Sequence, residues 1–145
     1  MTRWPARFSA ILVILVGSSA MAQSPGATSA LFDQLGGLPG ITKIVDGTLH
    51  HSLEDPRIKQ PFEDTNIDRL KELLTLQLCA LTGGSCVYKG RSMRASHASL
   101  GIKARQMDAL VEDMQAAMVE QDIPFRTQNR LLALLVPMRD EVISK

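Results

Sequence analysis

Met93-Arg94-Ala95-Ser96-His97-Ala98-Ser99-Leu100-Gly101-Ile102 is the stretch on which the reading of this chain turns. It follows a Gly83-Gly84 break and an irregular run to Gly90, and it leads into a long amphipathic segment. The local signals predict a short helix from about Ser92 to Ser99. Neutral imidazole is a good metal ligand. A lone histidine is more often an ordinary surface or core residue, so the surroundings of His97 decide between the two.

Downstream, Lys103 to Glu120 places Met107, Leu110, Val111, Met114, Ala117 and Met118 on one helical face. Pro124 to Arg126 breaks that helix. Thr127 to Ile143 reads as the last one, with Leu131, Leu132, Leu135, Met138 and Val142 turned inward. Upstream, Asn66 is a candidate N-cap for a helix whose inner face carries Ile67, Leu70, Leu73, Leu74, Gln77, Leu78 and Leu81. Gly83-Gly84 stops it. Pro39 opens an earlier helix, where a first-turn proline is tolerated, and Ile41, Ile44, Val45, Leu49 and Leu53 recur on it at helical spacing. Asp55-Pro56 ends it, and a turn from Arg57 to Phe62 follows. A short helical turn, Ser29 to Gln34, precedes Gly36-Gly37. There is no alternating strand pattern and no internal repeat, so the expected class is all-α. Aromatic residues are 4% of the chain, so leucine and methionine dominate the apolar faces. Such faces can be plain core, or they can line a flat apolar cofactor.

The N-terminus has a different character. Arg3 and Arg7 precede an apolar run, Phe8 to Val16, and Ala20-Met21-Ala22 offers small residues at a cleavage point. This predicts a signal peptide over 1–22, cut between Ala22 and Gln23; the alternative is an uncleaved anchor. Residues 23–29 read as a Ser/Pro/Gly/Ala linker and 30–145 as one domain. The implied location is secreted or periplasmic, with no stable membrane insertion after cleavage. Of the 16 basic and 15 acidic residues, the first 22 positions hold two arginines and no acid, leaving 14 against 15. That balance, with no basic stripe, argues against nucleic acid as the partner. Gly83-Gly84-Ser85 has no lysine for a phosphate loop. No serine sits in a nucleophile elbow, and the acids form no metal cluster.

Taken together, Leu31-Phe32-Asp33-Gln34-Leu35-Gly36-Gly37, Asp55-Pro56-Arg57 before Phe62, Leu81-Thr82-Gly83-Gly84, Tyr88-Lys89-Gly90-Arg91-Ser92-Met93, then His97 with Leu100-Gly101-Ile102, resemble the group 1 truncated haemoglobins. The resemblance runs from Leu31 to Val142. It implies a two-over-two helical sandwich around a b-type haem, with His97 as the proximal iron ligand and Phe62 packing on the haem face. Met107, on the following helix, is a further expected haem contact. The other ring nitrogen of His97 needs a partner, since such a bond sets the tautomer; a carbonyl in its own short helix is the expected acceptor.

Members of that group often carry polar residues over the gas site. An ungapped match from Ile41 to His97 puts Leu49, Leu70 and Leu74 at those positions, all apolar. A polar donor stabilises a polarised gas ligand by about 1.5–3 kcal/mol, so its loss predicts rapid oxygen release or a preference for CO and NO. Gln77, one turn past Leu74, supplies a donor only if the helix rotates. His50 and His51 face away in this register, while a one-residue slip would bring His50 to the iron. Lys71, Tyr88 and Arg94 are candidates for the haem propionates.

Cys79 and Cys86 bracket the glycine pair and match neither covalent haem attachment nor a zinc site. They read as a structural disulfide tying the third helix to the loop before His97; two free thiols are the alternative, and a redox switch a sharper one. The implied function is reversible binding of oxygen, CO or NO. The rivals are a haem redox enzyme consuming NO or peroxide, with an electron donor left open, and a helical sensor that has lost the cofactor.

Overall fold

The computed structural model describes residues 30–143, so the expected signal peptide (1–22) and linker (23–29) lie outside the described residues. Helix α1 (Leu31–Gln34) is a single turn that buries Leu31. It is followed at once by α2 (Gly37–Glu54). The chain can reverse this sharply because Gly36 sits at φ +84°, a conformation that costs glycine nothing. Helix α2 therefore starts before Pro39, the residue expected to open it. Proline is accommodated there because first-turn N–H groups have no helical partner.

Helix α2 presents Ile41, Ile44, Val45, Thr48, Leu49 and Ser52 to the interior, and it ends at Asp55. It lies against both α3 (Ile67–Leu81) and α5 (Ala104–Val119). Gly47 makes the approach to α5 close: a Cβ there would lie 2.9 Å from the Cβ of Ala117. Helix α3 begins as read from the sequence, with the Asn66 side chain accepting a 2.9 Å hydrogen bond from the Arg69 N–H. A 3-10 turn, Gln60–Phe62, sits between α2 and α3.

The short helix around His97 is α4 (Met93–His97), capped by Ser92, whose hydroxyl accepts from the Ala95 N–H at 3.2 Å. The terminal segment is not the single helix expected over Thr127 to Ile143. Helix α6 (Phe125–Leu135) gives way to a 3-10 turn, Val136–Met138, and then to α7 (Arg139–Val142). Pro137 explains the break: it has no N–H to donate and its ring crowds the carbonyl four residues back. Among the described residues there is no strand, and no helix is long and apolar enough to cross a membrane.

The apolar interior is divided. One cluster gathers Leu31, Leu35, Ile41, Ile44, Leu49, Leu78, Met118 and Leu131, with Phe62, Leu70 and Leu74 packed against it. A smaller one holds Ile102, Met107 and Val142, with Met93, Leu110 and Val111 at its edge. This explains why the inner face of α3 is only half covered: Leu70, Leu73 and Leu74 stay partly exposed although they point inward. They face the gap between the two clusters.

Candidate functional site

That gap is a cavity of about 330 Å³. Leu49, Phe62, Leu70 and Leu74 of the first cluster line it, as do Met93, Ile102, Met107, Leu110 and Val142 of the second. His97 lines it as well. The imidazole Nδ1 of His97, the last residue of α4, lies 2.8 Å from the Met93 carbonyl oxygen. A carbonyl only accepts, so Nδ1 carries the proton and donates. Nε2 is then the nitrogen with a free lone pair. The acceptor is a carbonyl of the same short helix, and the ring is pre-oriented by a bond four residues long in sequence.

The walls are positioned by ordinary local chemistry. Arg57 donates to both carboxylate oxygens of Asp55 and reaches Glu112 at 2.6 Å, pinning the end of α2 to α5. The Arg57 guanidinium holds the Asp55 carboxyl below its ordinary value. This joint anchors the turn that delivers Ile58 and Phe62 to the cavity. Tyr88 lines the cavity too, and its hydroxyl donates to the Arg91 carbonyl at 2.8 Å. Its ring lies where a Cβ on Gly90 would sit, which accounts for the Tyr-x-Gly step.

Seven of the nine residues singled out from the sequence come together here: Leu49, Phe62, Leu70, Leu74, Tyr88, His97 and Met107. Lys71 and Arg94 do not line the cavity. One residue on from Leu70 is a rotation of about 100° around the helix, and the Lys71 ammonium meets Asp46 Oδ1 at 2.6 Å. Arg94 is exposed on α4. His50 is exposed beside Glu54, and His51 binds Glu120 at 2.9 Å; neither lines the cavity.

Gln77, expected to supply a donor only through helix rotation, lines the cavity, is 9% exposed, and has its amide against two methionine sulfurs. Its place on the inner face of α3 was visible from spacing alone. Its partners, Met93 and Met138, were not, because they come from elsewhere in the chain. The disulfide expected between Cys79 and Cys86 is present, with Cα atoms 5.7 Å apart. Gly83, at φ +94°, makes the reversal, and a Cβ on Gly84 would lie 2.6 Å from the Cys79 sulfur. No group of three or more potential metal-binding His, Cys, Asp or Glu side chains occurs among the described residues.

Comparison with known proteins agrees with this architecture. The family model for bacterial-like globins matches residues 30–144. A group 1 truncated haemoglobin from Synechocystis is 32% identical over 100 residues, 66% of this chain and 81% of that protein. The structure of a truncated haemoglobin from Tetrahymena pyriformis in its Fe(III) form superposes with a TM-score of 0.76 at 25% identity, covering 79% of this chain and 98% of that one. A 2/2 haemoglobin from Synechococcus, solved in the cyanomet state with covalently attached haem, shares the fold with a TM-score of 0.74 at 23% identity, covering 81% and 100%. The chain has the two-over-two helical globin fold and belongs to the bacterial-like globin family, among the group 1 truncated haemoglobins.

Proposed function

We propose that this protein holds a b-type haem in the cavity, with His97 as the proximal iron ligand, and reversibly binds a diatomic gas there. The observation that carries the reading is the His97 ring in the wall of an apolar cavity, with Nδ1 tied to the Met93 carbonyl and Nε2 left to coordinate. The surroundings fit a haem. Two apolar clusters stand apart where a flat hydrophobic group would bridge them. The donor set is one imidazole, which suits iron in a globin-type site. Iron supplies the gas-binding chemistry; the chain supplies orientation, apolar walls and exclusion of water.

On the side opposite His97, Leu49, Leu70 and Leu74 offer the gas no hydrogen bond. Little then holds a polarised ligand, and we expect oxygen to leave quickly while CO, which needs such help least, is retained. Tyr88, at the wall, is the candidate for a propionate contact; Lys71 is held by Asp46.

Absorption spectra of the purified protein, oxidised, reduced and with CO, test this reading. We expect a five-coordinate ferrous spectrum that shifts on CO addition, and loss of that spectrum in His97→Ala. An unchanged ferrous-CO spectrum in His97→Ala would overturn the ligand assignment. A low-spin six-coordinate spectrum without added ligand would instead point to His50 on the iron.

Export follows as a second proposal. Arg3, Arg7, the apolar run Phe8 to Val16 and Ala20-Met21-Ala22 support a cleaved signal peptide. The Cys79–Cys86 disulfide suits an oxidising compartment. Cell fractionation with N-terminal sequencing tests it; mature protein starting at Gln23 outside the cytoplasm is expected, and a cytoplasmic chain starting at Met1 would refute it.

A further inference from the structure

Gln77 is the polar exception on the apolar wall of α3. It is buried, yet its Nε2 donates only to two thioethers, Met93 Sδ at 3.5 Å and Met138 Sδ at 3.6 Å. Sulfur is a weak acceptor, so a buried amide satisfied this way costs more than the leucine that would otherwise fill the space. What it adds is direction. Methionine has three rotatable bonds and adapts to whatever surrounds it; a donor fixed between two sulfurs removes that freedom.

Met93 is the residue where this matters. It opens α4, and its carbonyl receives the His97 Nδ1–H at 2.8 Å. Its side chain receives the Gln77 amide from α3. Met138 closes the 3-10 turn before α7, and α7 is the element packed against α4. One carboxamide therefore joins α3, α4 and the start of α7. Helix α4 has only five residues, with Ser92 as its cap, so little within the helix itself sets its position.

We infer that Gln77 is a positioning residue for the His97 imidazole, acting through the Met93 and Met138 thioethers. As a statement about iron ligation, this rests on the haem reading above. Its consequence is that Gln77, itself a lining residue of the cavity, is mechanically linked through the Met93 side chain to the short helix that carries His97.

The test compares Gln77→Leu, Met93→Leu and the double variant in the full mature chain. Before haem is added, ring nitrogen NMR should show His97 in one tautomer, Nδ1–H, in the native protein and in mixed tautomers in each variant. After loading, the ferrous iron–histidine stretching band should broaden or shift, and haem transfer to an acceptor globin should accelerate about tenfold, the lower end for lost outer-shell support. The double variant should change no more than either single one, because both break one linkage. A native ring pattern and native haem retention in Gln77→Leu would overturn the inference, and so would additive effects in the double variant. If Gln77→Leu fails to fold, Met93→Leu, which keeps the carbonyl, carries the same expectation and the same refutation. A native protein that takes up no haem would sink the function reading alone, since the ring NMR still decides the positioning role.

Discussion

The Ser52 hydroxyl donates a 2.7 Å hydrogen bond to Asp113 Oδ2 inside the seam between α2 and α5. Ser52 is fully buried and Asp113 is 8% exposed. A carboxylate in that place needs its donor, because an unsatisfied buried acceptor loses its hydration without return. The same seam contains the close contact between Gly47 and Ala117. Ser52→Ala is expected to destabilise the fold by about 1–3 kcal/mol. Urea unfolding should show a lower midpoint with an unchanged slope; an unchanged midpoint would mean that Asp113 finds another donor.

The Asp55–Arg57 pair sets a pH dependence. The hydrogen bonds from Arg57 lower the Asp55 carboxyl below its ordinary 3.8. A carboxyl lowered by folding contributes stability that is complete above the unfolded value and fades as pH falls through the folded one. The pair should therefore help at neutral pH and progressively less below about pH 3.8. In Arg57→Ala, carbonyl NMR titration should find Asp55 closer to 3.8 than in the native protein, since the side-chain hydrogen bonds are the largest cause of its shift. No upward movement would show that the Arg57 backbone N–H suffices.

Leu74 faces the cavity from α3, and His97 and Met107 line the same cavity. Leu74→Gln puts a donor at a position that is apolar in this chain. A charge-assisted hydrogen bond of about 1.5–3 kcal/mol corresponds to one to two orders of magnitude in ligand retention. Stopped-flow measurement should find oxygen release slowed by about that factor, with CO release nearly unaffected. Equal slowing of both gases would indicate steric blocking rather than hydrogen bonding.

Cys79 and Cys86 close a short segment around Gly83-Gly84. In the chain-entropy account, a loop of this length contributes about 2.5 kcal/mol by restricting the unfolded state. Cys86→Ser should lower stability by about that amount, and a dithiol reductant should do the same to the native protein and nothing to the variant. A variant as stable as the native chain would show that the Phe32–Thr82 and Gly84–Cys79 backbone bonds already hold this turn.

Much of the fold was legible because helix boundaries are local events. Asn66 and Ser92 act through their own side chains, and each starts a helix where the sequence places it, whereas Gly36, through its backbone freedom, starts α2 two residues before the expected Pro39. The last helix was misread because the apolar spacing of Leu131, Leu135, Met138 and Val142 continues smoothly through Pro137, while the backbone cannot.

The site divides along the same line. Sequence alone determined the class of the fold, the inward register of Leu49, Leu70 and Leu74, and His97 as the residue to watch. Periodicity and motif order carry that information within single helices. Tertiary structure alone decided that Lys71 is spent on Asp46, that Gln77 lies in the cavity wall, and that its amide meets Met93 and Met138. These depend on which helix packs beside which. A partner distant in the chain leaves no periodic trace, because a hydrogen bond or an ion pair is satisfied by geometry in space and not by spacing in sequence.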